Sequence, residues 1–288
     1  MYLTGNEKDP YLRIKSNSNL NEVKEEFLTG KYSVRLSEEF SEEFLEEFMR
    51  KFYKINSLNL SDCYNYKVKN SFVYAMQNLN SLSISVWKDT DFILDCTTLP
   101  KSITTLWFTV YTKKKIINLD SINSHVENLI ISGFDEKDLI KLSNLTNLKS
   151  LSFATAKIKS LKGIEKLTKL EYLSLGGVRS LTDITDITTL QKLERLEFDI
   201  CWKLKDFSAI GELKALKELK LLDCKNLESI KFVKGLPNLK SLSTLGTTII
   251  NDFDTTPAEH VPIFFGSQYK KYNKQYPEKE IHKKLDEL

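Results

Sequence analysis

Nine copies of one short pattern constrain this chain more than any other feature. The frame L-x-x-L-x-L begins at Ile55, Leu79, Ile103, Val126, Leu148, Leu170, Leu193, Leu216 and Leu239, at intervals of 24, 24, 23, 22, 22, 23, 23 and 23 residues. At its first, fourth and sixth positions 26 of 27 residues are Leu, Ile, Val or Phe, and only Thr244 departs. With 41% hydrophobic residues overall, about 11 would fall there by chance. The register continues past the frame: Val178, Leu181, Ile184, Ile187 and Leu190 follow Leu170, and Cys224, Leu227, Ile230, Val233 and Leu236 follow Leu216. Each unit therefore reads as one short strand and one return path, both with an inward apolar side. One such unit cannot bury its Leu row alone and must stack on its neighbours.

The units "LEYLSLGGVRSLTDITDITTLQK" and "LKELKLLDCKNLESIKFVKGLPN" resemble the leucine-rich-repeat family, in the 22-residue class shared by internalin-like and phosphatase-regulator-like repeats. The resemblance is specific over residues 126–245. It is looser over 55–125, where units such as "ITTLWFTVYTKKKIINLDSINSH" are longer and more aromatic. It implies an α/β fold, a right-handed horseshoe solenoid of about nine repeats with a concave parallel β-sheet and helical or 3₁₀ turns on the convex side.

A stack of repeats leaves apolar ends that need covering, so the expected organisation is a flank with a capping helix over 1–54, repeats over 55–245 and a C-terminal cap and tail over 246–288. Phe40, Phe44, Phe48 and Phe52 share one face of a helix expected from Ser37, whose hydroxyl is placed to cap it. Residues 11–36 read as strand, helix ("NLNEVKEEFL") and strand. The "GTTIINDFD" segment and Tyr269–Tyr276 are similar to the C-terminal flank of bacterial cytosolic leucine-rich-repeat proteins. The favoured reading of that last stretch has Tyr rings lying on the final repeat and Lys solvated, rather than a stacking platform for single-stranded nucleic acid.

Several function classes lose support. Forty-two Lys and Arg against 39 Asp and Glu leave +3, which singles out neither nucleic acid nor an anionic membrane. No stretch approaches the roughly 18 apolar residues of a membrane span, and no secretory signal or lipidation motif is read, so the expectation is a cytoplasmic protein. His125, His260 and His282 form no metal motif, and phosphate-cradling loops and nucleophile elbows are missing. Cys63, Cys201 and Cys224 all occupy the ninth position of their units, where the family turns the chain inward, so they read as buried structural thiols. No enzyme activity, metal or cofactor is expected.

Binding is the remaining class. With the Leu side chains inward, the third, fifth and seventh positions face outward on the sheet. Most are small and polar. Trp107 and Ile130 are exceptions at the fifth position, and Tyr172, Arg195, Glu197, Asp199, Glu218, Lys220 and Leu222 form a second group that combines aromatic and Arg anchors with charges of both signs. These nine residues are the candidate contact with a protein partner. The expected role is a monomeric, non-enzymatic binding module. By family analogy it is a bacterial immunity or inhibitor protein neutralising a toxin, with a regulatory subunit of a Ser/Thr phosphatase as the alternative. An internalin-like adhesin is the third reading and requires secretion.

Overall fold

A computed structural model of the chain describes residues 2–6, 9–62, 76, 78–89, 92–122 and 125–280. The chain forms two compact units, Met1–Phe134 and Asp135–Leu288.

In the first unit the strands are β1 (Tyr2–Asn6), β2 (Asp9–Lys15), β3 (Ser33–Ser37), β4 (Ser57–Asp62), β5 (Ser81–Ser85), β6 (Leu94–Asp95), β7 (Thr105–Val110), β8 (Ile116–Ile117) and β9 (Asn128–Phe134), with one helix, α1 (Glu42–Lys51). β1 runs antiparallel to β2, after which the ladder β2-β3-β4-β5-β7-β9 is wholly parallel. β6 and β8, in successive return segments, make a second small parallel pair. Leu12, Val34, Leu58, Leu82, Leu106 and Leu129 stand in one lateral row and are all buried. The repeat register therefore begins two strands before Ile55. The first-position apolar residue that would have disclosed those strands is replaced by Asp9 and Lys31.

That extension moves the Phe-rich helix. It begins at Glu42, not after Ser37, and it lies between two paired strands, as the return path from β3 to β4. Ser37 is committed to β3, where its hydroxyl accepts from Arg13 Nε at 3.0 Å, and Ser41 caps the helix by accepting from the Phe44 amide at 3.2 Å. Phe40 is left outside the helix, while Phe48 and Phe52 are fully buried and stacked at 4.7 Å. The helix expected over "NLNEVKEEFL" is two short 3₁₀ turns, Leu20–Glu22 and Glu25–Leu28.

The second unit has strands β10 (Ser150–Ala156), β11 (Tyr172–Gly176), β12 (Arg195–Asp199), β13 (Glu218–Leu222), β14 (Ser241–Leu245) and β15 (Ile263–Phe265), all parallel. The row Leu151, Leu173, Leu196, Leu219, Leu242 and Phe264 repeats the buried column of the first unit. Each return path from β10 to β14 carries a 3₁₀ turn that buries one aliphatic side chain: Ile164, Ile187, Ile210 and Val233. Burying a Leu-sized side chain contributes about 1.5–3 kcal/mol, so the inward columns dominate the energetics of each coil. This is the leucine-rich-repeat architecture that the resemblance implied.

The strand exits are equally periodic. The eighth residues of four consecutive units, Gly177, Ile200, Asp223 and Gly246, all have left-handed backbone, with φ of 62°, 57°, 50° and 69°. A Cβ on Gly177 would lie 2.9 Å from the Ala154 carbonyl oxygen of the preceding coil, so crowding and handedness both require glycine there. After β14 the period breaks. Tyr272 and Tyr276 turn inward, Tyr272 Oη accepting from the Ile250 amide at 3.1 Å, while Lys270 and Lys271 stay at the surface. β15, formed by "IFF", adds a further parallel strand that the repeat frame did not reveal.

Candidate partner-binding face

Parallel registry converts sequence offsets into neighbouring side chains. In the second unit the third-position row is Tyr172, Arg195, Glu218 and Ser241, and beside it runs the fifth-position row Ser174, Glu197, Lys220 and Ser243. The two rows alternate with the inward Leu residues, so their side chains lie on the solvent face.

Tyr172, Arg195, Leu196, Glu197, Glu218 and Lys220 line one shallow, open depression on this face. The Arg195 guanidinium carbon sits 4.9 Å from the Tyr172 ring centre, a cation–π contact that orients the group. Arg195 is exposed, and no hydrogen bond or ion pair engages its guanidinium among the described residues. Lys220 behaves differently: its Nζ lies 2.9 Å from Glu218 Oε1 and 3.9 Å from Glu197 Oε2. Partial burial pulls the Lys220 ammonium down, but the two carboxylates outweigh it and hold the group above the ordinary lysine value. Glu218 on its own strand and Glu197 on the neighbouring one thus absorb Lys220 and leave Arg195 available.

Along the seventh-position row, Gly176, Asp199, Leu222 and Leu245 are neighbours. Burial, then the charge of Asp223, pushes the Asp199 carboxyl above the usual carboxylate range. Leu222 is half-buried and Leu245 exposed, so this row ends in an apolar shoulder.

Within the first unit, Trp107 and Ile130 are lateral partners on β7 and β9, in the row Arg35, Asn59, Ser83, Trp107 and Ile130. Trp107 is 41% exposed and Ile130 half-buried, an indole and an aliphatic side chain side by side beyond a polar run. At the start of that row Arg35 is held by Asp62 at 2.5 Å and lies over the Tyr11 ring at 5.6 Å. This second Tyr–Arg contact falls before the repeat frame begins, and sequence reading missed it for that reason.

The remaining chemistry-bearing groups are dispersed. Cys201 and Cys224 are fully buried on successive coils. The neighbouring Cys224 thiol, then burial, pushes Cys201 up, and the Cys201 thiol donates to the Leu175 carbonyl oxygen at 3.4 Å. Cys96 is buried too, its thiol pushed up to about 12 by burial and then by Asp95 and Asp120. Cys63 and His282 lie outside the described residues, and His260 Nε2 is 3.1 Å from the Leu236 carbonyl oxygen. Among the described residues no three His, Cys, Asp or Glu side chains are grouped to hold a metal ion, and no helix is long and apolar enough to cross a membrane.

No protein-family model matches the sequence, and no curated protein matches it. Solved structures do share its fold. An internalin (InlF) from Listeria monocytogenes superposes with a TM-score of 0.62 at 20% identity, over 81% of this chain and 64% of that one. The functional domain of InlJ from Listeria monocytogenes, described as including a cysteine ladder, gives 0.52 at 17% identity, over 88% of this chain and 52% of that one. The chain spans less than two thirds of the length of either.

Proposed function

We propose that this leucine-rich-repeat chain is a non-enzymatic binding module that takes one protein partner on the solvent face of its sheet. Tyr172, Arg195, Glu197, Glu218 and Lys220 form the polar centre of contact, with Asp199 and Leu222 at its border. Trp107 and Ile130 are the apolar anchors of the first unit. The observation that carries this reading is Arg195: a guanidinium already oriented by an aromatic ring, with its donors unspent. Such a group loses little freedom on binding, and Arg and Tyr dominate interface hot spots. Glu197 and Glu218 beside it repel a uniformly acidic partner surface and accept a mixed one, which favours a protein over a polyanion.

The inhibitory role belongs to this reading: a monomeric protein, working in the cytoplasm, that occludes the working surface of a toxin. The test is affinity capture from native extract with the wild-type chain and with a Trp107→Ala, Tyr172→Ala, Arg195→Ala, Lys220→Ala variant of matched thermal stability. The expected result is one protein retained by the wild type and lost by the variant. A toxin supports inhibition, and a phosphatase catalytic subunit replaces it with a regulatory role. Equal retention by both chains rejects the assigned face.

A further inference from the structure

The tenth residue of each unit comes just after the strand, two positions past the left-handed exit in the units of Arg179, Trp202 and Lys225, and lies at the rim of the sheet, outside the rows described above. In four consecutive coils of the second unit this position holds Lys157, Arg179, Trp202 and Lys225, all exposed. Trp202 is 37% exposed. The Arg179 guanidinium carbon is 4.6 Å from the indole centre and Lys225 Nζ is 4.4 Å from it. These two cations come from the coils before and after Trp202, so one covers each face of the ring. The indole spaces and holds them, and Asn226 Nδ2, donating to the Trp202 carbonyl, ties that coil to the next.

Three features give this rim a chemistry of its own. Among the described residues, Lys157, Arg179 and Lys225 have no carboxylate partner, in contrast to Lys220, Lys217 and Lys274, which are all ion-paired. The acids nearest in sequence to Arg179 and Lys225 are already engaged: Asp183 Oδ1 accepts from the Thr185 amide at 2.9 Å, Asp223 Oδ1 from the Thr247 amide at 2.9 Å, and Glu228 Oε1 from Asn251 Nδ2 at 3.2 Å. Successive coils are about 4.8 Å apart, so the three cations span roughly 14 Å, a distance that four or five residues of extended chain cover at about 3.3 Å each. An acidic segment laid along the rim would meet a cation, an aromatic-held cation and a third cation in turn.

We propose that this rim is a docking ledge for an acidic peptide segment of a protein partner. Single-stranded nucleic acid would also answer the positive charge, but it gains affinity from bases stacked on open ring faces. Both faces of Trp202 are taken by cations, which leaves charge and hydrogen bonding to carboxylates as the available interaction. Arg179 offers a planar fork suited to a carboxylate, and Lys157 and Lys225 act as point charges. The ledge deepens the reading of the chain as a protein-binding module and rests on it, but it uses different residues from the central depression.

The test uses the purified full chain and a fluorescein-labelled ten-residue peptide of alternating Glu and Ser, followed by anisotropy at 50 mM salt. Binding is expected to weaken at least tenfold in a Lys157→Glu, Arg179→Glu, Lys225→Glu variant. It should stay within about twofold in a control carrying Lys162→Glu, Lys166→Glu and Lys231→Glu on the return segments, which changes net charge equally. A Trp202→Leu variant, which keeps every charge but removes the spacer, is expected to lose a few-fold. The variant of the central face, Tyr172→Ala with Arg195→Ala and Lys220→Ala, is expected to keep the peptide, so failure of the ledge and failure of the central site are read separately. No measurable peptide binding, equal weakening in the control variant, or tighter binding of a ten-nucleotide oligothymidine than of the peptide would each overturn the proposal.

Discussion

The Arg195 guanidinium lies over the Tyr172 ring at 4.9 Å because β11 and β12 pair with Tyr172 directly opposite Arg195. The same register puts Glu197 opposite Lys220 and leaves those charges to satisfy each other. A one-residue slip of β12 would bury Arg195 and expose Leu196, so the depression exists only while the Leu column holds the register.

Arg195→Ala should leave folding nearly unchanged, because an exposed cation–π contact contributes only about 0.5–1 kcal/mol. Partner retention should fall by about tenfold or more if the residue is a hot spot. Arg195→Lys should restore only part of it, since an ammonium lacks the planar fork. Parallel denaturant melts and capture assays separate the two effects.

Leu196→Ala should do the opposite. Leu196 is 1% exposed in the middle of the inward column, and truncation there costs about 2–5 kcal/mol. Urea unfolding should show a lower midpoint, with loss of partner tracking loss of fold.

Gly177→Ala should destabilise by about 1–3 kcal/mol, since φ is 62° and the added methyl meets the Ala154 carbonyl oxygen. Ile200 occupies the same step of the next coil with φ of 57°, and a β-branched residue is strained there. Ile200→Asn should therefore be tolerated without loss, and thermal melts of the two variants should move differently.

Cys96, Cys201 and Cys224 should resist alkylation in the folded protein at pH 8. A thiol at about 12 is almost wholly protonated there, and burial closes off all three. Peptide-resolved mass spectrometry should find them modified only after denaturant is added. Modification of any of them under native conditions would contradict the buried assignment.

Two kinds of aspartate should give opposite pH signatures. Asp183, Asp206 and Asp254 accept bonds from the residue two places on, Thr185, Ser208 and Thr256, and those bonds hold their carboxyls below the usual range. Their contribution is complete above the ordinary carboxylate value and is lost as pH falls through the lowered one. Asp199 is held above that range, so its stabilising form is the protonated one and its ionised form opposes folding at neutral pH. Asp199→Asn should raise Tm at pH 7, with a margin that narrows as pH falls through the raised value and has vanished below the ordinary carboxylate value of about 4. Asp183→Ala should lower Tm at pH 7 and lose its effect only at more acid pH, below the ordinary carboxylate value.

The repeat frame made the inward half of the molecule legible, because burial imposes a period and the period is written in Leu. It located every strand from β4 to β14 except the two-residue pair β6 and β8, and alternation then named Trp107, Ile130, Tyr172 and Arg195 as outward residues. The flanks are only partly legible for the same reason: Asp9 and Lys31 interrupt the frame, so the sequence shows a strand at each end of residues 11–36 without disclosing that they join the ladder, and it presents α1 as a cap and not as a return path. Nor could the sequence tell which outward charges are spent. Glu218 takes Lys220, while Arg195 is left on a ring. Trp202 is clasped by Arg179 and Lys225 from residues 23 positions away on either side. The Arg195–Tyr172 contact and the Trp202 clasp depend on lateral registry between coils, which brings distant residues within 5 Å, and only the tertiary structure decides it.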